Sequence, residues 1–236
     1  MKVLVMGGSG RVGTVVVPYL IQQASVRVLD LRPPEYSGAD FVQASVLDSE
    51  AVQRAATGMD AVLYMVMNTL VGSELAIAES SFDLNVKGVY LALRAARKAG
   101  VMHAVYCSSM SVYDGELNVR YFYDEDMPPD GRDSYGLTKR MGEEVCRNAW
   151  VLYGMSVNVL RLCFPVSRQK WLAQARIGIP DIPTDAEDVA RAMMAAFEYR
   201  NGFQTFMISG DYENKIINMG KAKRLLGWEP RARPVQ

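Results

Sequence analysis

Three observations in this 236-residue chain predict an α/β fold with a doubly wound parallel sheet. First, Lys2 to Gly13 reads Lys-Val-Leu-Val-Met-Gly-Gly-Ser-Gly-Arg-Val-Gly. Its unbroken apolar run, Val3 to Met6, suits a strand buried on both faces. Second, Gly7, Gly10 and Gly13 follow at three-residue spacing and lead into an apolar helical segment, Val12 to Ile21. Third, short apolar strands and helical segments alternate from there onward, as a sheet with crossover helices requires.

The glycines mark the first candidate site. A strand, a glycine turn and a helix N-terminus let backbone approach a diphosphate and aim free N–H groups at negative charge. A bare strand-to-helix turn would carry the same glycines, but the flanks and the place in the first βαβ unit favour a ligand. The first helix is expected to end near Gln23, and the second strand is Val26 to Asp30. A carboxylate at that strand end can accept hydrogen bonds from both hydroxyls of an adenine ribose and would repel a 2′-phosphate. Asp30 therefore favours NAD over NADP, a preference that Arg11 and Arg32 could soften.

The remaining elements follow in order. Arg32 to Ala39 is a turn, and Asp40 to Ala44 is the third strand. Asp48 reads as the N-cap of a helix through Ala56, ended by Gly58. Asp60 to Val66 is the fourth strand. Asn68 to Glu79 is a connection without a clear pattern, and Ser81 to Lys98 is a helix ended by Gly100. Ala104 to Cys107 is the fifth strand, and His103 just before it reads as a surface or strand-edge residue. Asp114 to Asp133, rich in Pro, Gly and Asp, is a long loop of the kind that usually serves function. Its Tyr121, Phe122 and Tyr123 can equally line a substrate mouth or pack.

Composition excludes several classes. Lys+Arg and Asp+Glu each number 26, so no basic surplus argues for nucleic acid. No apolar run reaches membrane-spanning length. Glycines interrupt the opening run at once, so it reads as a strand and not a signal peptide. Cys107, Cys146 and Cys163 are widely spaced and suit reduced thiols in a cytoplasmic protein. One histidine leaves no multi-histidine metal site, and no metal is expected.

The chemistry is expected at Ser134-Tyr135-Gly136-Leu137-Thr138-Lys139. On a helix, Tyr135 and Lys139 stand at i and i+4 and share a face. A tyrosine is a poor base at neutral pH by about three units, and a fixed ammonium beside it favours the phenolate. Such a tyrosine can take a proton from a substrate hydroxyl while hydride leaves the same carbon. YxxxK alone is common on surface helices. Here it follows Val105-Tyr106-Cys107-Ser108-Ser109-Met110-Ser111, a strand ending in hydroxyls, one of which can orient the same substrate oxygen.

Taken together, Gly7/Gly10/Gly13, Asp30, Asn85-Val86-Lys87-Gly88, Ser108-Ser109 with Val112-Tyr113, Tyr135/Lys139 and Leu225-Leu226-Gly227-Trp228-Glu229-Pro230 resemble the extended short-chain dehydrogenase/reductase family. The resemblance runs in family order over nearly the whole chain. It implies a Rossmann fold binding NAD, with Tyr135 as acid/base, Lys139 lowering its pKa, and Ser109 as the catalytic hydroxyl. It places Arg11, Val12, Leu31, Asn85, Ser108 and Pro165 at the cofactor, the last near the nicotinamide. Ser45-Val46 falls where the family meets adenine, with Ser for its usual Asp. Tyr64 to Met67 falls where the family often has HLAA, which puts Tyr64 and Met65 at the cofactor and leaves Met67 or Asn68 to face substrate with Ser109, Ser111 and Tyr135. The same analogy implies a homodimer through the Ser81–Lys98 helix and the helix of Tyr135.

Two departures narrow the substrate. The family's dehydratases follow the catalytic hydroxyl with an Asp-Glu pair, whereas Met110 and Ser111 stand here. Nucleotide-sugar enzymes of the family carry a sizeable C-terminal lobe, whereas Pro165 to Thr184 is little more than a short loop with Arg168, Lys170, Trp171 and Arg176. Those basic residues suit a carboxylate or phosphate, or plain solvent. Thr184-Asp185-Ala186-Glu187 reads as a capping box opening a helix to about Tyr199. The expectation is a single domain, 1–236. Its small substrate-binding portion comes from about 165–236 and the 114–133 loop, and suits a sugar or sugar acid. The short relatives with this layout include uronate dehydrogenases, so NAD-dependent oxidation of such a hydroxyl leads. A nucleotide-sugar 4-epimerase and a non-catalytic dinucleotide sensor are the alternatives.

Overall fold

The structure is a computed structural model that describes residues 1–117, 120–176 and 182–233, except the side chains of 175 and 176. Its strands are β1 (Lys2–Met6), β2 (Ser25–Asp30), β3 (Asp40–Gln43), β4 (Ala61–Tyr64), β5 (His103–Ser109), β6 (Ser156–Leu162), β7 (Pro165–Val166), β8 (Thr184–Asp185) and β9 (Phe203–Ile208). Seven of them form one parallel sheet in the order β3-β2-β1-β4-β5-β6-β9, and β7 pairs with β8 alone. The order reverses at β1, where the chain leaves for β4. In sheets of this kind, ligands bind outside the carboxyl ends of the strands at that point.

The apolar runs are explained by two cores. Val3 and Val5 enter one, with Val16, Val17 and Leu20 of α1 (Gly13–Leu20) and Val189 and Met193 of α7 (Ala186–Glu198). Leu4 and Met6 enter the other, with Val52 of α2 (Ser49–Ala56), Leu93 of α4 (Val89–Lys98) and Cys146 of α5 (Ser134–Tyr153). Because alternate residues of a strand face opposite sides, a strand between two helical layers is apolar at every position.

Local signals behaved as their chemistry predicts at α2, where the Asp48 carboxylate accepts from the Glu50 and Ala51 N–H groups. Elsewhere the structure differs. The helix expected from Ser81 starts at Glu74, because Ser73 caps it by accepting from Ala76 N–H. It runs as α3 (Glu74–Phe82), then a π-helical turn (Asp83–Gly88), then α4. The Leu84 carbonyl in that wider turn accepts from the Tyr64 hydroxyl at 2.6 Å.

His103 is not at the surface. It lies inside β5 at 1% exposure, with Nδ1 3.2 Å from the Ser156 carbonyl and Nε2 3.0 Å from that of Ala196. The capping box does not form. Thr184 lies in β8 and its hydroxyl donates to the Cys163 carbonyl, while Asp185, at the cap position, makes no side-chain cap. The stretch after Pro165 is not a plain loop: it holds α6 (Arg168–Arg176). The side chain of Arg176 lies outside the described residues. After β9, α8 (Gly220–Leu226) leads to Trp228, whose indole donates to the Asp188 carbonyl on α7 and so ties down the C-terminal segment.

Candidate active site

Two cavities meet along the carboxyl ends of the strands. One, about 590 Å³, lies over the glycine turn and the end of β2. The other, about 810 Å³, lies between the end of β5, the start of α5, and the β7–α6 segment. Arg11, Val12, Met65 and Met67 line both, so the two form one continuous groove.

The first cavity is shaped by absent side chains. Gly7 has φ +86°, and a Cβ there would stand 2.8 Å from the Val66 backbone. A Cβ on Gly13 would stand 2.2 Å from the Gly8 carbonyl oxygen, so Gly13 lets α1 start directly under the turn. No side chain caps α1. The Thr14, Val15 and Val16 N–H groups donate back to the Gly10 and Val12 carbonyls, so what the helix start offers an anion there is chiefly the positive end of its dipole. Gly7, Gly10, Asp30, Leu31, Ser45 and Val46 also line this cavity. Asp30 is held in place: one carboxylate oxygen accepts from Ser9 N–H at 3.0 Å, the other from Leu31 N–H at 2.7 Å. A cradle only glycine fits, ending at a fixed carboxylate, matches a dinucleotide with a free ribose diol.

The second cavity gathers the reactive groups. Ser109 ends β5, and its Oγ accepts from Ser111 N–H and donates to Ser111 Oγ, both at 3.0 Å. Asp133 caps α5 by accepting from Gly136 N–H, so the helix begins at Ser134 and presents Tyr135 and Lys139 together. Gly136 makes the approach possible, since a Cβ there would stand 2.2 Å from the Ser111 carbonyl oxygen. Ser108, Ser109, Ser111, Tyr135, Lys139 and Pro165 all line this cavity. Burial raises the Tyr135 pKa, while a hydrogen bond from Ser109 and the charge of Arg11 oppose the rise. Lys139 stands beside Tyr135 as the spacing suggests, its ammonium 5.8 Å from the centre of the Tyr135 ring. Its ammonium is itself buried, donates to the Cys107 carbonyl at 2.9 Å, and is pushed down to about 8 by desolvation.

Two expected site residues lie elsewhere, and a third sits at the other end of the groove. Tyr64 is fully buried with its hydroxyl on Leu84 and lines neither cavity. Asn85 is fully buried, donates to Thr138 Oγ1 at 3.0 Å and also lines neither, so it ties the π-helical turn to α5. Asn68 lines the dinucleotide end and not the reactive end; its amide donates to the Ile77 carbonyl and accepts from Leu70 N–H. Met67 reaches both cavities. Of the loop aromatics, Phe122 is buried and Tyr121 and Tyr123 are exposed outside the cavity.

Other residues escaped the sequence reading. Glu143, one turn beyond Lys139, accepts from Ser108 Oγ at 2.6 Å and pairs with Arg161 of β6 through two bonds, 2.8 and 3.0 Å. Arg161 also donates to the Tyr113 hydroxyl. The i, i+8 spacing from Tyr135 to Glu143 was visible, but not that Arg161 faces it. Phe164, exposed at the cavity with φ +39°, holds a backbone conformation L side chains rarely adopt. No sequence signal marks it.

Fold and site define a dinucleotide-binding α/β protein with a Ser/Tyr/Lys cavity. The chain belongs to the NAD dependent epimerase/dehydratase family, whose model matches residues 3–176, and its cofactor is NAD. It is 30% identical over 161 residues to an uncharacterised protein of Sinorhizobium fredii, covering 67% of this chain and 39% of that one. It is 30% identical over 164 residues to a UDP-glucose 4-epimerase of Bacillus subtilis, covering 63% and 48%. The matches thus span less than half of these relatives. Among solved structures, uronate dehydrogenase from Agrobacterium tumefaciens superposes with TM-score 0.79 at 20% identity, covering 98% of this chain and 84% of that one. UDP-glucose 4-epimerase from Thermotoga maritima gives 0.78 at 23%, covering 99% and 94%. At these identities the likeness shows the fold.

Proposed function

We propose that the chain is an NAD-dependent dehydrogenase acting on a hydroxyl of a small sugar or sugar acid. The convergence of Ser109 and Tyr135 on a cavity continuous with the dinucleotide groove carries this reading. NAD supplies the hydride acceptor when bound. Gly7, Gly10, Arg11 and Val12 would hold its diphosphate, Asp30 and Leu31 the adenine ribose, Ser45 and Val46 the adenine, and Met65, Ser108 and Pro165 the nicotinamide end. Ser109 orients the substrate oxygen, with Ser111 beside it. Tyr135 removes the hydroxyl proton as the carbon–hydrogen bond breaks, and Lys139 would hold the nicotinamide ribose.

Dehydration is not part of this reading, since the residue after Ser109 is a buried methionine, Met110. The test is NADH formation from NAD with a panel of free aldoses and sugar acids. Tyr135→Phe is expected to lower turnover by about 10²–10⁴-fold with NAD binding unchanged; full activity in that variant would sink the mechanism. The curated relatives named as UDP-glucose 4-epimerases favour a second reading, a 4-epimerase. It predicts NAD retained through purification and no net NADH. No helix among the described residues is long and apolar enough to cross a membrane. A homodimer through α4 and α5 is supported by exposed apolar residues on both helices, Tyr90, Leu137 and Met141. A monomeric mass by light scattering would remove that part.

A further inference from the structure

We infer that Lys170 and Gln174 are the specificity pair of this site and that the substrate is an acid, its carboxylate at Lys170 and one of its hydroxyls donating to Gln174 Oε1. The inference rests on the sugar or sugar-acid reading above and narrows it. Both residues lie on α6, four apart and therefore on one face, and both line the reactive cavity. The helix is held by other residues. Trp171 is buried and its indole donates to the Pro183 carbonyl at 3.1 Å. Arg168 pairs with the buried Asp185 carboxylate at 3.1 Å. Arg168 is thus engaged in structure, and Lys170 is left facing the cavity.

The remaining charges of the cavity point the same way. Lys139 is buried with its ammonium on the Cys107 carbonyl. Arg11 lies where the cavity joins the dinucleotide groove. Asp133 caps α5. Glu116, the other acid, sits exposed on the segment after Tyr113 and steers an anion away from itself. Among the described residues, Lys170 is then the cation of the reactive cavity that has no acidic partner and is not committed to the cofactor turn or to backbone. Gln174 adds an independent mark. Its Oε1 is shielded from water and meets no donor among the described residues. A shielded acceptor without a donor is costly, and a sugar hydroxyl is a donor of the right kind.

The test is calorimetric binding to the full chain with NADH present, using D-glucuronate and D-galacturonate against D-glucose and D-galactose. Wild type is expected to bind the acids about tenfold more tightly than the neutral sugars. Lys170→Met should weaken the acids alone and erase that preference. Gln174→Leu should weaken acids and neutral sugars alike, by roughly 2–10-fold. Equal binding of acids and neutral sugars by wild type, binding of neither, or an acid preference that survives Lys170→Met would each overturn the pair. Turnover in the same preparations separates this from the wider reading. Acid binding without NADH formation sinks the dehydrogenase and leaves the pair standing. Oxidation of neutral aldoses with acids ignored does the reverse.

Discussion

Burial is the main influence that keeps the proton on Tyr135. It raises the pKa above the ordinary 10, and the Ser109 hydrogen bond only partly opposes that. If Tyr135 is the base, kcat/KM for oxidation should climb several-fold per unit between pH 7 and 9, because the phenolate is scarce at neutral pH. A flat profile over that range would count against it. Lys139, pushed down to about 8 by desolvation, loses its charge within the same window, so the climb should bend there. At the other end of the groove, Asp30 should set cofactor choice. Asp30→Ala should weaken NAD and narrow its advantage over NADP, read by titrating each. Gly136→Ala forces a methyl against the Ser111 carbonyl oxygen. Overpacking of this kind costs about 1–3 kcal/mol, and turnover should fall with the melting temperature, since Ser109 and Tyr135 must part to make room.

At the scale of elements, α5 is fixed by charge as well as by its apolar face. Glu143 and Arg161 are both buried, at 6% and 4% side-chain exposure, and satisfy one another through two hydrogen bonds. Arg161→Met leaves Glu143 charged, buried and unpaired, which should cost about 3–5 kcal/mol. Adding Glu143→Leu should recover part of that loss in denaturant unfolding, because the orphan charge is then gone. An additive double variant would show that the pair does not act as a unit. The π-helical turn depends in the same way on Tyr64. Its hydroxyl and the Asn85 amide bind this irregular segment to β4 and α5, and a π-bulge at this depth is a local irregularity that needs such partners.

Across the whole molecule, the lone histidine becomes a pH-dependent support. Burial pushes His103 below its ordinary 6.5, outweighing the two carbonyls that favour its charged form. The unfolded chain therefore takes up the proton first. His103 contributes full stability above about pH 6.5 and loses it as pH falls toward the lower folded value. Melting temperature should drop between pH 7.5 and 5.5, and His103→Gln should be less stable throughout but show a smaller drop. An equal drop in the variant would place the acid sensitivity elsewhere.

Much of the sheet was legible because a strand between two helical layers has no polar face, and runs such as Val3–Met6 say so directly. The glycine turn, Asp30, the Asp48 cap and the i, i+4 placement of Tyr135 and Lys139 are likewise local facts, carried by backbone geometry within a few residues. Facing partners were not legible. Tyr64 and Asn85 turned inward to a π-helical turn, His103 was enclosed by β6 and α7, and Glu143 met Arg161 eighteen residues on. Each depends on what a distant segment brings to the other side of a side chain, and no spacing encodes that. The sequence by itself determined the order of the first five strands and where the dinucleotide turn and the reactive helix lie, but not α6, the β7–β8 pair or the π-helical turn. Only the tertiary structure decided which side chains face the groove, because facing is a property of packed pairs and not of a single segment.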